Sequence, residues 1–281
     1  MHSFNQKQFH AFQADANALG GQLLEPLRKA IATQAPVSLP AVGGFATARS
    51  GAFNLDEIIS ISSAYTLVTG REVEEESAHA TLATAVVEDF NLLEVVTAKR
   101  IVAQISVTTP RDGGAQRISF AGSRFEGLRV AGREATPRLN ADLASPAAAS
   151  GEGGSPATWS GFRRTVAAQT EALVGLFGRH PDKEAVQWAR ARHGWTTAET
   201  TVGGRGTYSL FDGFDEVDLP GAYGHIIEIP GFGRVYLGEV FMSRHSLQLV
   251  SIRAELGCPI KGVATGPTAD AGGGHGVGNP D

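Results

Sequence analysis

The segment Ile101-Val102-Ala103-Gln104-Ile105-Ser106-Val107 alternates with a period of two, placing Ile101, Ala103, Ile105 and Val107 on one side and Val102, Gln104 and Ser106 on the other. Successive side chains of a strand point to opposite faces, so this run specifies a half-buried β-strand and does not fit a helical repeat. Similar runs recur from Ile58 to Val68, Val235 to Met242 and Leu247 to Leu256, each bounded by glycine, proline or charged turn residues. His79 to Val87 is alanine-rich and also reads as a strand with closely approaching neighbours, although alanine keeps a helix as the rival. Glycine contributes 35 of 281 residues and aromatics only 7%, which favours many turns and small-residue packing. The expected fold is mainly β: a β-sandwich or a β-solenoid-like stack, with a small α-helical insertion.

Residues 1–140 form the expected N-terminal β region. Within it, Leu23, Leu24, Leu27 and Ile31 stand at near-helical spacing, but Pro26 lies inside the run, so helix and non-helix both remain open. Residues 141–158, rich in Ala, Ser, Gly and Pro, read as a linker or exposed loop. Residues 159–196 hold the helical insertion: Val166, Leu173, Val174 and Phe177 share one side of a first helix. A second helix starts near Asp182 and ends at Arg190, Arg192 and His193 before Gly194. Residues 197–261 make a C-terminal β region, and 262–281, with Gly272-Gly273-Gly274-His275-Gly276, read as a flexible tail. Phe90 to Val107 and Phe232 to Ala254 share a rhythm of Phe, apolar run with one Glu, basic residues and strand, which raises an internal duplication.

The composition excludes several classes. A single cysteine, Cys258, supports neither an internal disulfide nor a multi-thiolate metal site, and is expected to be a buried packing residue. No apolar run is long enough for a membrane-spanning helix. The first residues lack the pattern of a secretory signal, so a cytoplasmic location is expected. The net charge of −5 argues against nucleic acid as a partner, although Arg163, Arg164, Arg190, Arg192 and His193 flank Trp159, Trp188 and Trp195.

Three stretches carry a likeness to a known family: Phe90 to Ala98 (FNLLEVVTA), Ser123 to Gly132 (SRFEGLRVAG) and Pro230 to Glu239 (PGFGRVYLGE). In these the sequence resembles the bacterial surface proteins called choice-of-anchor P. The resemblance implies a long β structure with no assigned enzymatic activity and no catalytic residues to transfer, and it suggests the cell surface as an alternative location.

Reactive constellations are sparse. His225, Glu239 and His245 lie on successive C-terminal strands and are the candidate metal ligands, since two imidazoles and a carboxylate suit zinc or non-haem iron. Their spacing matches no ligand motif, and surface or hydrogen-bonded histidines are the expectation; no cofactor is expected. No Gly-x-Ser-x-Gly elbow is present. Gly203-Gly204-Arg205-Gly206 lacks the Gly-Lys-Ser/Thr ending of a phosphate loop and reads as a turn. Glu72, Glu74, Glu75 and Glu76 lack the ligand alternation of a calcium loop and read as solvated. The expected role is a non-catalytic structural or interaction protein whose partner is protein, with self-association through strand edges or a flat face. The alternative is a carbohydrate-binding or carbohydrate-processing protein, with Tyr208, Tyr223, Tyr236 and the three tryptophans as stacking platforms and Glu228 or Glu239 as an acid.

Overall fold

The structure, a computed structural model, describes residues 8–141, 160–193, 206–215, 219–242, 246–257 and 259–277. In chain order the strands are β1 (Gln8–Asn17), β2 (Leu19–Glu25), β3 (Lys29–Gln34), β4 (Val37–Ser38), β5 (Gly44–Ser50), β6 (Phe53–Leu55), β7 (Ile59–Ile61) and β8 (Ser63–Val73). The long hairpin β9 (Ala78–Leu92) and β10 (Val96–Pro110) follows, then the short strands β11 (Arg117–Ser119), β12 (Arg124–Glu126), β13 (Arg129–Val130), β14 (Arg133–Glu134) and β15 (Pro137–Leu139). Helices α1 (Ser160–Phe177) and α2 (Lys183–His193) precede β16 (Gly206–Ser209), β17 (Phe211–Phe214), β18 (Ala222–Tyr223) and β19 (Ile226–Ile229). The chain ends with β20 (Gly233–Met242), β21 (Ser246–Leu256), β22 (Lys261–Thr265) and β23 (Thr268–Val277).

These strands form two large antiparallel sheets and one small one, so the fold is mainly β, in keeping with a β-sandwich carrying a small helical insertion. The first sheet is wholly local: β5 to β14, centred on β8, β9 and β10. The second joins both ends of the chain, with β1 on β23 and β2 on β22, and continues through β21, β20 and β19. The N-terminal and C-terminal β regions expected from the sequence are therefore not separate units, because β1 to β4 belong to the C-terminal sheet.

The expected flexible tail is likewise corrected. Lys261–Thr265 and Thr268–Val277 are the paired strands β22 and β23, and β23 matches β1 over ten consecutive residues from Gln8↔Val277 to Asn17↔Thr268. Its shortage of large side chains serves packing. Ala269 and Ala271 of β23 and Ala14 and Ala16 of β1 are buried against Val68, Ala83, Ala85, Ala103 and Ile105 of the facing sheet. Such short side chains bring Cα atoms of β1 and β23 within 8 Å of those of β9, closer than the roughly 10 Å usual between stacked sheets. Thr81 Oγ1 donates to the Gly272 carbonyl across the gap, and Ser251 Oγ donates to that of Val102.

Residues 19–34 form the β2–β3 hairpin and not a helix, with Leu23 and Ile31 buried and Leu24 turned to solvent. The alanine-rich run 79–87 lies within β9, as the strand reading expected. The duplication is not supported by position: Phe90 and Glu94 flank the end of β9, Glu94 at φ 57, whereas Phe232 precedes β20 and Glu239 lies inside it. Of the acidic cluster, Glu72 lies in β8 and Glu74 to Glu76 form an exposed turn after it, with Glu72 paired to Arg111 and Glu76 to Arg117. The proposed linker 141–158 lies, except for its first residue, outside the described residues, as do Trp159, Trp195, Gly203 to Arg205 and Cys258.

Ala85→Leu overfills the narrow layer and should lower stability by about 1–3 kcal/mol in urea unfolding. Leu24→Ala, at a position 48% exposed, should change it by less than about 0.5 kcal/mol.

Candidate functional site

Helix α1 starts at the flank of the sandwich, where Phe162 and Val166 join the core beside Tyr208, and ends over the outer face of the second sheet. Gln169 fixes it to β16 twice: its Nε2 donates to the Ser209 carbonyl at 2.7 Å and its Oε1 accepts the Ser209 N–H at 2.9 Å. Its last turn and α2 then cover β19 and β20, with Leu173, Phe177 and Ala189 packed on Ile226 and Tyr236.

Beneath this hairpin the sheet carries charged residues. In antiparallel pairing, residues directly opposite share a face, and here Tyr236 lies opposite Arg253, while Arg234 lies opposite both Glu228 and Glu255. Gly238, at φ 61, breaks the alternation of β20, so that Glu239 joins Tyr236 on the Arg253 side. Arg253 donates through Nε and Nη2 to the two carboxylate oxygens of Glu239 at 2.6 and 2.8 Å, and through Nη1 to Glu255. Its guanidinium lies 3.6 Å from the Tyr236 ring centroid, and the Tyr236 hydroxyl donates to Glu255 at 2.7 Å. Arg234 donates to Glu228 at 2.6 Å and sits 3.8 Å from the Trp188 ring centroid. His180, in the turn between the helices, meets Glu228 through Nε2 at 2.7 Å.

Burial opposes the charges of this network, and pairing restores them. Burial works against the Arg253 cation, but Glu239 and Glu255 more than compensate and raise its pKa. Burial raises the Glu255 carboxyl, yet Tyr236 and Arg253 outweigh it and hold the group below its ordinary value. Burial, reinforced by Glu255, pushes the Tyr236 hydroxyl up.

His225 and Glu239, singled out from the sequence, are both buried here, at 7% and 1% exposure, but they do not form a shared ligand set. Glu239 gives its carboxylate to Arg253, while the His225 ring faces His193 edge-on with centroids 6.5 Å apart. His245 lies outside the described residues. Among the described residues, no group of three or more His, Cys, Asp or Glu side chains is arranged to hold a metal ion. Burial, then Arg253, lowers the His225 pKa to about 4; burial, then His225 and Arg192, does the same to His193.

An open cleft of about 760 Å³ adjoins the network. Its polar wall consists of His180, Tyr223, Glu228, Arg234 and Glu255, and its apolar wall is the turn from Ile229 to Gly233 with Leu256. Gly233 is required there: at φ 130, an added Cβ would lie 2.0 Å from the Glu255 carbonyl oxygen. Tyr223 stacks on Phe177 at 4.5 Å between centroids. Tyr208 and Tyr236 are buried and offer no platform. Sequence reading missed Arg253, Glu255, Arg234 and His180. The signal was the two-residue spacing of Arg253 and Glu255, and of Arg234 and Tyr236, within apolar strands.

Arg253→Met strands Glu239 as a buried charge and should cost about 3–5 kcal/mol, most of it recovered in the Arg253→Met/Glu239→Leu double variant. Urea unfolding of the wild type, Arg253→Met, Glu239→Leu and the double variant checks this.

The two histidines bind protons in the unfolded chain near pH 6.5 but in the folded chain only near about 4. Stability should therefore fall as pH drops through this window and level off below it. Asp270, raised to about 6 by burial and by Asp15 opposite it, acts in the other sense between 6 and 3.8. Unfolding midpoints at pH 8 and pH 5 should show a drop in the wild type that His193→Gln/His225→Gln removes.

A family model described as Domain of unknown function (DUF8256) matches residues 10–243. No curated protein and no solved structure matches the chain. The matched stretch includes the first sheet, the helical hairpin and β20, and since it covers most of the 281 residues the chain belongs to the family described as Domain of unknown function (DUF8256).

Proposed function

We propose that this protein is a non-catalytic interaction module, a β scaffold that presents surfaces to other protein chains and associates with itself. The observation that carries this reading is the internal pairing of the charged groups around the cleft. Glu228 is held by Arg234 and His180, Glu255 by Arg253 and Tyr236, and Arg234 by Glu228 and Trp188. A general acid or base needs a poised proton position within reach of substrate, whereas both His180 nitrogens are already engaged, Nε2 by Glu228 and Nδ1 by the Asp182 N–H. Such a network holds the helical hairpin in place and shapes a surface. The resemblance to choice-of-anchor P proteins, which implies no assigned activity, agrees with this role.

A second reading, carbohydrate binding, is favoured by one feature: Tyr223 and His180 share the cleft with the carboxylates of Glu228 and Glu255. Aromatic rings beside carboxylates suit the apolar faces and hydroxyl pairs of sugars. Binding to a glycan array that Tyr223→Ala abolishes would support it, and absence of both binding and reducing-sugar release would dispose of it.

Light scattering on size-fractionated protein over a concentration series tests the main reading. The expected result is a mass that rises above the 29.4 kDa of one chain; a constant single-chain mass at the highest concentrations would overturn self-association.

A further inference from the structure

We propose that a second copy of this chain adds to the open edge of β5, antiparallel to it and related by a two-fold axis through Thr47. The inference rests on the self-association reading and names the surface and register that would carry it. Strand β5 pairs in unbroken register with β8, from Gly44↔Gly70 to Ser50↔Ala64. Among the described residues, it has no other strand partner.

An unpaired row of N–H and C=O groups invites another strand, and proteins ordinarily guard such edges with charge, proline, bulges or short length. Other margins of the two sheets show these devices: β4 and β18 have two residues each, β14 is Arg133-Glu134, and β3 carries Lys29 paired to Asp56. Strand β5 has seven residues, Gly44-Phe45-Ala46-Thr47-Ala48-Arg49-Ser50, with no proline, no lysine and one charge. Phe45 is 66% exposed, and Val42 just before the strand is 89% exposed.

The sequence of the edge fits its own copy. Phe45, Thr47 and Arg49 are the exposed positions, alternating with half-buried Ala46, Ala48 and Ser50. With the axis at Thr47, Phe45 of one protomer lies opposite the partner's Arg49, and the symmetric pair repeats the contact, giving two cation–π pairs on one face. Ala46 meets the partner's Ala48 and Gly44 meets the partner's Ser50. Moving the axis to Ala46 or Ala48 leaves Arg49 or Phe45, respectively, without an opposite residue in the strand. The Thr47 register alone uses the whole of β5 and keeps the two arginines apart. It would join two first sheets into one continuous sheet with a two-fold, closed interface.

The test uses the full chain in a Cys258→Ser background. Thr47→Cys, oxidised at concentrations where the wild type associates, should give a disulfide-linked dimer, because directly opposed strand residues have Cα atoms about 4.5–5.5 Å apart, within disulfide reach. Val263→Cys, exposed on the other sheet, should not. Phe45→Lys, which sets a cation opposite Arg49, should weaken association about tenfold or more, with unchanged circular dichroism and, at dilutions where both proteins are single chains, an unchanged melting temperature. If the wild type associates but Thr47→Cys cross-links no more than Val263→Cys, or Phe45→Lys associates as well as wild type, the β5 edge is overturned while self-association stands. If the wild type stays a single chain throughout, both readings fall.

Discussion

The pairing of β1 with β23 brings the two ends of the chain into neighbouring positions of one sheet, with Asp15 opposite Asp270 and Ala14 opposite Ala271. Closing so long a loop costs conformational entropy that grows only slowly with length, so a modest gain per residue along a ten-residue ladder offsets it. The gain comes from what lies beneath the ladder. Four alanines from these two strands sit buried over Ala83, Ala85 and Ala103, and the short side chains let the layers approach until backbone and threonine hydroxyl meet, as Thr81 does with Gly272. A larger side chain at any of these positions would separate the sheets locally. The cross-strand pair of Asp15 and Asp270 is tolerated because burial, and then the like charge of Asp15, let Asp270 hold its proton to about pH 6.

Between β15 and β16 the chain inserts α1 and α2, and α1 runs from the core to the outside of the second sheet. Its first half fills the flank of the core with Phe162 and Val166, while Leu173 and Phe177 near its end lie on the outer face. The cleft exists because the hairpin covers only part of that face. His180 in the inter-helix turn and the 229–233 turn of the sheet form its opposing rims, and Glu228 links them through His180 and Arg234.

The fold class was legible because the period-two pattern of residues 101–107 and the apolar runs of β20 and β21 are local properties of the chain. The helices were legible from Val166, Leu173 and Phe177 on one side and from the basic C-terminal turn of α2. What escaped was non-local. Thr268 to Gly274 has no apolar alternation beyond Ala269 and Ala271, so nothing in it distinguishes a closely packed strand from a solvated tail until β1 is known to lie beside it. The candidate site failed in the same way. Glu239 and His225 stood out as isolated ionisable residues in apolar strands, but the partner that decides the chemistry of Glu239 is Arg253, supplied by the neighbouring strand. A carboxylate in a strand can be read from sequence; its counter-ion depends on register and on the break in alternation at Gly238.

The Arg253 network also bears on why the hairpin settles in one place. Burying ions costs desolvation that their attraction barely repays, so the network adds little net stability over an apolar equivalent. Its effect is on alternatives. An apolar hairpin face could slide along the Ile226 and Tyr236 surface with little change in buried area, whereas Trp188 must cover the Arg234 guanidinium and His180 must reach Glu228. Displacing the helices by one turn would uncover Arg234 and open the Arg253, Glu239 and Glu255 cluster to water while breaking the Gln169 clasp on Ser209. The charged groups therefore set the position of the helices more than the strength of their packing. The same fixed position gives the adjoining cleft a constant shape, because His180 on one rim and the 229–233 turn on the other are tied through Glu228 and Arg234.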